Sequence, residues 1–408
     1  MQRNLNNEKI EMLEKVKFLV GEQKEIANIG TVPVLEPFDD EIIDFLNTLS
    51  KNLMSNNESK LYPDIITLGF WMRKSSMLKL KDRFVNEDGN IHLGRGIAFH
   101  IAPSNVPVNY AYSLVTGLIT GNVNIVRIPS KDFPQVSIIN NAINDTLMQY
   151  EKLKKYIYLI RYERNQEINE LFSDLCDTRI IWGGDNTISE LRKSKLNARA
   201  TEVTFADRYS MAIINSDEYM KYDKKDKIAD DFYNDTYLTD QNACTSPRIV
   251  IWTGNMKEEA KKVFWTQLYN KVRDKYKYQS IMGVNKLTSS YMVAAIKENV
   301  EILEHSDNLI VRVNIKQIDD SIMEFKDNSG YFYEYDCDDI MEIRDICNNT
   351  HCQTIGMFGK KDEIEDVLRS GIKGVDRVVP IGKTMDFDLI WDGYNLFERL
   401  TRTISVLV

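Results

Sequence analysis

The chain has 408 residues, 43% of them hydrophobic and 28% charged, with a formal net charge of −9. That length predicts two domains with enough apolar material for large cores, so neither disulfides nor a structural metal is required. The acidic balance disfavours nucleic acid and anionic membranes as partners, and no apolar run has the length of a signal peptide or a bilayer span, which together predict a cytoplasmic protein.

Residues 6–23 carry Ile10, Leu13, Val16, Leu19 and Val20 at helical spacing, which predicts a surface helix. A Pro-containing connector follows over 29–38. Asp39 or Asp40 can then cap a helix whose buried stripe includes Ile42, Ile43, Leu46 and Leu49. This part reads as packing and not as chemistry.

From about residue 93 the pattern changes. Short apolar runs at 97–102, 123–128, 156–160, 179–182 and 211–214 alternate with helical stretches at 108–119, 135–150, 167–175 and 187–193. Strands alternating with helices imply crossover connections and a parallel sheet covered on both faces. Ligands of such sheets lie beyond the carboxyl ends of the strands, so the loops after each run are the places to search. A second block begins near 240, with a strand at 248–252, a long helix at 257–275 and mixed elements up to 359. The remainder is a loop-like stretch at 377–384, an aromatic-rich stretch at 387–397 and a β-prone tail at 404–408, which can add a strand to its own sheet or to a neighbour's.

Four of these loops carry residues suited to chemistry. In His100-Ile101-Ala102-Pro103-Ser104-Asn105-Val106-Pro107 a strand gives way to a turn and Pro107 falls in the first helical turn. Asn105 there is either an amide that donates to an oxyanion or, with Ser104, a helix cap. In Arg127-Ile128-Pro129-Ser130 the arginine is either a ligand for a dinucleotide's ribose or 2′-phosphate, or a surface cation paired with a carboxylate. Trp182-Gly183-Gly184-Asp185-Asn186-Thr187 is either a glycine turn that lets backbone amides approach a pyrophosphate, or an ordinary turn with an N-cap.

The fourth loop is Asp240-Gln241-Asn242-Ala243-Cys244-Thr245-Ser246-Pro247-Arg248, a polar segment of small residues just before a strand. A reactive thiol needs such a place, accessible and beside backbone N–H groups. Most cysteines are inert core residues, and Cys176, in an apolar helical run, fits that description; Cys244 does not. The five cysteines are odd in number and sparse, which suits a reducing compartment. Cys337, Cys347, His351 and Cys352 match neither usual zinc spacing, so no metal is expected. A Cys–His hydrolase would have to draw on His92, His100, His305 or His351, none of which lies near Cys244 in sequence. The charge run at 221–231 is a solvated face.

Taken together these segments resemble the aldehyde dehydrogenase superfamily, and more narrowly the LuxC-type acyl-CoA reductases. The resemblance extends from about residue 61 to the last strand, and its most specific pieces are 100–107, 121–130, 182–185, 240–248, 377–382 and Trp391-Asp392-Gly393-Tyr394. It implies an α/β fold, aldehyde-dehydrogenase-like, with a Rossmann-like parallel-sheet cofactor domain and an α/β catalytic domain. The divisions it suggests are 1–238 for the helical segment and NAD(P)-binding domain, 239–376 for the domain carrying the cysteine, and 377–408 for a return and oligomerisation segment. By the same resemblance Cys244 is the nucleophile and Asn105 the oxyanion asparagine. Arg127 stands where the family has a cofactor-ribose lysine, Ser130 belongs to that turn, and Gly183 and Gly184 receive the pyrophosphate.

Two departures stand out. The segment that carries the superfamily's general base is here Glu202-Val203-Thr204-Phe205-Ala206-Asp207, and Gly356 replaces the glutamate that contacts the nicotinamide ribose. A missing base suits a reductase, which must keep its acyl-enzyme from water. The expected activity is reduction of an acyl-CoA or acyl-protein thioester, of fatty acyl type, to an aldehyde through a Cys244 acyl-enzyme. NADPH is the expected cofactor, with NADH as the alternative, and the expected assembly is a homo-oligomer with an acyl-activating partner enzyme. The competing readings are an aldehyde dehydrogenase running oxidatively and an acyl-accepting carrier or scaffold subunit.

Overall fold

A computed structural model describes residues 7–85, 89–303 and 307–407. Packing divides the chain into two compact units: residues up to Ala206 together with those from Phe387 onward, and Asp207–Asp386. The first 238 residues, read together from the sequence, are therefore divided after Ala206, and the helix Lys225–Thr236 packs in the second unit.

Strands of the first unit are β1 (Lys17–Val20), β2 (Ile91–Gly94), β3 (Ile97–Ile101), β4 (Val123–Arg127), β5 (Ile157–Arg161), β6 (Thr178–Trp182) and β7 (Thr201–Phe205). Six of them form one sheet in the order β1-β5-β4-β3-β6-β7, parallel except for β1. Strands β3 to β6 are buried almost from end to end, as expected of a sheet with helices on both faces. The helices Asn109–Ile119, Pro134–Leu147, Gln166–Leu175 and Asp185–Leu191 fall where the apolar periodicity places them. Chain order runs outward from β3 through β4 to β5 and then restarts on its other side at β6, which makes the carboxyl ends of β3 and β6 a topological switch point.

Three local expectations need correction. Residues 6–23 are not one helix: Asn7–Met12 is helical, a 3-10 turn follows, and β1 pairs antiparallel with β5 (Asn6 lies outside the described residues). Val16, Phe18 and Val20 fit a strand as well as a helical stripe, and the exposed edge of β5 offers unpaired backbone groups that decide the matter. Gly21 then turns the chain at φ +82°, where a Cβ would fall 2.6 Å from the Tyr158 ring. The stretch at 377–384 is not all loop, since Arg377–Pro380 forms a strand. The Cys244 loop does not obey the carboxyl-end rule, because it precedes its strand. The reading of Asp39 holds: it caps the helix Asp40–Ser55 by accepting from the amides of Glu41 and Ile42. The tail does add a strand to its own chain, pairing antiparallel with β2, but over Thr401–Ile404 and not over 404–408.

The second unit contains β8 (Tyr209–Asn215), β9 (Pro247–Thr253), β10 (Val300–Ile302), β11 (Val311–Ile315), β12 (Tyr331–Asp336), β13 (Cys352–Phe358) and β14 (Arg377–Pro380). They form a sheet in the order β10-β11-β12-β9-β8-β13-β14, parallel except for β10. Alternation along the strands feeds two cores. Met211, Ile213, Ile249 and Ile251 face one layer, while Ala212, Ile214, Val250 and Trp252 face another that includes Phe232, Phe264 and Trp265.

Candidate active site

In the first unit the loops after β3, β4 and β6 share the carboxyl edge of the sheet. The amide of Ala102 donates to the carbonyl of Arg127 (3.1 Å), that of Ile128 to Ile160 (2.8 Å) and that of Gly183 to Phe205 (3.1 Å), so each loop leaves from a fixed point. Asn105, Arg127, Ser130, Gly183 and Gly184 are thereby gathered on one edge. The following helix starts at Asn109 with Val108 as its N-cap and no side-chain cap, so neither Ser104 nor Asn105 caps it, and Pro107 lies just ahead of its first turn. Asn105 is exposed.

The glycine turn keeps its backbone open. Gly184 is the N-cap of Asp185–Leu191 at φ −66°, and a Cβ there would meet nothing within 4 Å. Packing does not demand glycine at that position. The guanidinium of Arg127 lies over the Tyr162 ring, 4.4 Å from the centroid, and donates weakly to the Tyr162 carbonyl (3.4 Å). Stacking pre-orients the cation at this edge.

Beneath the edge lies a polar chain that sequence reasoning missed. The indole N–H of Trp182 donates to Ser113 Oγ (3.0 Å), the Ser113 hydroxyl faces His100 Nδ1 (2.7 Å), and His100 Nε2 faces Asn124 Oδ1 (3.0 Å). Asn124 spends its amide N–H on the carbonyls of Asn122 (2.7 Å) and Tyr156 (3.4 Å). Its oxygen therefore accepts from His100, which assigns the proton to Nε2 and leaves Nδ1 to accept from Ser113. Burial pushes the imidazole down to about 4, against the Asn124 bond, so it is neutral. Gly117 makes the arrangement sterically feasible, since a Cβ there would fall 1.8 Å from Asn124 Oδ1. A cavity with about 10 Å³ open to a water centre adjoins His100, Ser113 and Trp182, enough for roughly one molecule. One polar residue inside an otherwise apolar, fully buried strand was the available signal.

Glu202 is committed to structure. One carboxylate oxygen takes Arg179 Nε (2.9 Å) and Nη2 (2.5 Å), and the other takes Arg192 Nε (2.8 Å). Both oxygens are occupied by arginines, so Glu202 is not placed to activate a water.

In the second unit Cys244 sits half-buried in the turn that enters β9. The amide of Ser246 donates to Ala243 (3.1 Å), which closes a tight turn around Cys244 and Thr245. Asp240 and Gln241 carry positive φ values of 50° and 59°, a strained conformation for residues other than glycine. Gln241 offsets the strain with a full set of bonds: Nε2 donates to Pro247 (2.8 Å) and Tyr331 (3.1 Å), while Oε1 accepts from Gly330 (3.0 Å) and Tyr331 (3.2 Å). Ser210 Oγ donates to the carbonyl of Cys244 itself (2.7 Å). Arg248, buried, donates to the carbonyls of Asp327 (2.5 Å) and Gln241 (2.7 Å), and the charge of Cys244 is among those that act on it.

The remaining candidates fall elsewhere. Cys176, Cys337, Cys347 and Cys352 are buried, and burial pushes the Cys337 thiol up to about 12. His92 lies against Phe397, with Nδ1 3.3 Å from Thr403 Oγ1, and His351 Nδ1 is 3.1 Å from Asn349 Oδ1. His305 lies outside the described residues. Among the described residues no helix is long and apolar enough to cross a membrane, and no three His, Cys, Asp or Glu side chains gather as metal ligands.

Comparison with known proteins supplies the family and the fold. The family model for acyl-CoA reductase (LuxC) matches residues 82–403. The long-chain acyl-protein thioester reductase of Photorhabdus laumondii subsp. laumondii is 21% identical over 320 residues, 76% of this chain and 64% of that protein, so the chain spans just under two thirds of that relative's length. Among solved structures, an NAD-dependent benzaldehyde dehydrogenase from Corynebacterium glutamicum superposes with a TM-score of 0.60 at 13% identity, covering 91% of this chain and 85% of that one. An indole-3-acetaldehyde dehydrogenase from P. syringae, solved in complex with NAD+, gives 0.62 at 12% identity, covering 90% and 82%. The fold is that of the aldehyde dehydrogenases.

Proposed function

Because the chain belongs to the LuxC family of acyl-CoA reductases, we propose that it reduces a fatty acyl thioester, carried on CoA or on a protein, to the aldehyde, with Cys244 as nucleophile. The observation that carries this reading is the Cys244 turn: a half-buried thiol on a backbone locked by Gln241 and Ser210, with the Arg248 cation in reach. The Cys244 thiolate adds to the thioester carbonyl, the acyl–sulfur bond to the donor breaks, and the donor leaves as its thiolate. Asn105 is the proposed donor to the oxyanion in both the acylation and the reduction steps. A reduced nicotinamide, held by the Arg127 turn and by Gly183 and Gly184, would supply a hydride to the acyl carbon and leave the thiohemiacetal anion on Cys244. That adduct expels the Cys244 sulfur as the aldehyde leaves.

The residues of the first unit's edge suit a dinucleotide. Gly184 leaves open space where phosphates would approach, with Gly183 beside it. Arg127, with Ser130 in the same turn, offers a cation for a 2′-phosphate, which favours NADPH over NADH. Glu202, held by Arg179 and Arg192, is withdrawn from water activation, which favours reduction over oxidation to an acid. We place the protein in the cytoplasm, as a homo-oligomer fed by an acyl-activating enzyme.

Intact-protein mass spectrometry tests the reading. A long-chain acyl-CoA should leave an adduct on the wild-type protein and none on Cys244→Ala, and NADPH should discharge the adduct as aldehyde. An adduct that persists with NADPH would point to an acyl carrier, and brisk acid formation from aldehyde and oxidised cofactor without CoA would point to the oxidative direction.

A further inference from the structure

The loop that follows β14 turns back along the sheet face and ends on the nucleophile turn. Its Met385 sulfur accepts from the Thr245 hydroxyl (3.1 Å) and lies 3.9 Å from that of Ser246, the two residues after Cys244. Four sequence features seat this loop. Asp235, on the helix Lys225–Thr236 and 1% exposed, accepts from the amides of Gly382 (2.6 Å) and Thr384 (3.1 Å) with its two carboxylate oxygens. Gly382 adopts φ +90° and lies so close to the same helix that a Cβ would fall 2.6 Å from Asp231 Cβ. Gly356 lets Thr384 lie on β13, where a Cβ would already stand 3.0 Å from Thr384 Cγ2. Arg377 Nη2 gathers the loop from the other side, donating to the carbonyls of Lys383 (3.3 Å) and Asp386 (3.1 Å).

Asp235 has no role in the chemistry described above, yet its environment is unusual. Burial raises its carboxyl to about 7 and Asp386 adds to the rise, while the two amides and Thr384 pull the other way. A buried carboxylate on paired backbone donors is a strong fastening, and removing it leaves two amides unsatisfied. The position of Gly356 takes on a meaning of its own: the space over β13 belongs to the loop.

We propose that Asp235 is a positioning residue for the thiol chemistry: by clasping Gly382 and Thr384 it seats Met385 on Thr245 and Ser246 and so fixes the backbone that presents Cys244. This rests on the reading of Cys244 as nucleophile. Asp235→Asn keeps one acceptor and turns a donor on the second amide, and Asp235→Ala keeps none. The expected order of kcat for acyl-thioester reduction is therefore wild type, then Asn, then Ala. The Ala variant should be about tenfold or more below wild type, while KM for the nicotinamide cofactor stays within about twofold.

Iodoacetamide labelling, followed at the Cys244 peptide by mass spectrometry, gives a readout independent of turnover. With the loop released, labelling should quicken about tenfold in the folded Ala variant. If the Asp235 variants do not fold, Met385→Ala removes the same contact from a half-buried position and should quicken labelling and lower kcat in the same way. A folded variant with wild-type labelling overturns the clasp, and faster labelling with unchanged kcat overturns the positioning role. Turnover that survives in Cys244→Ser sinks the nucleophile reading alone, because the labelling comparison does not depend on it.

Discussion

The indole N–H of Trp182, the last residue of β6, donates to the hydroxyl of Ser113 on a neighbouring helix, 3.0 Å away, and that hydroxyl sits on His100 of β3. The strands on either side of the switch point are thus tied together one residue below the glycine turn, through an imidazole that must remain uncharged. Acid should undo the tie. His100 has a folded value of about 4 against 6.5 for the free side chain, so below about 6.5 the unfolded chain binds a proton that the folded chain does not. The contribution to stability is complete above that pH and is lost as pH falls from 6.5 to 4, by up to about 1.4 kcal/mol per unit. Urea unfolding across this range should show a shallower acid limb for His100→Gln than for wild type; equal slopes would remove His100 from the account.

Asn105→Ala should leave stability within about 0.5 kcal/mol, because the side chain is exposed. Adduct formation with acyl-CoA in a single turnover should slow by about two to three orders of magnitude. If both groups act on one carbonyl as proposed, a double variant with Cys244→Ser should be no slower than Cys244→Ser alone.

Glu202→Gln separates a structural carboxylate from a catalytic one. Arg179, 2% exposed, loses its charge partner, so stability should fall by roughly 3 kcal/mol or more. Hydrolysis of the isolated acyl-enzyme should not change. A marked drop in hydrolysis with stability intact would return Glu202 to the role of base.

Gly184→Val tests the glycine turn with little structural interference, because φ is −66° and no atom stands within 4 Å of the added Cβ. Melting temperature should hold, while KM for the nicotinamide cofactor rises about tenfold or more as the side chain fills the space proposed for phosphate. An unchanged KM would place the cofactor's phosphates elsewhere.

What could be read in advance follows a simple division. The alternation of buried strands with helices is written in local apolar patterning, so β3 to β6 and their crossovers were legible, and the polar loop around Cys244 announced itself by contrast with its neighbours. Features fixed by pairing over long distances were not. Strand β1 depends on the free edge of β5, more than 130 residues away in sequence. Gln241 is satisfied by Gly330 and Tyr331, and Asp235 by Gly382 and Thr384, partners that no local window contains. The role of the glutamate at 202 was not legible in one dimension, and in three it is bound by two arginines.

The strand Thr401–Ile404 completes the first unit by pairing with β2, and Asn122 Nδ2 fastens the carbonyl of Leu400 beside it (2.9 Å). Partners so far apart in the chain set an order of events during synthesis. The contiguous unit Asp207–Asp386 can close as soon as it has emerged from the ribosome, whereas the unit begun first must wait, one edge uncovered, until Ile404 arrives. Of these two units the one begun first is the one finished last, and that interval is when a nascent chain most needs protection from its neighbours.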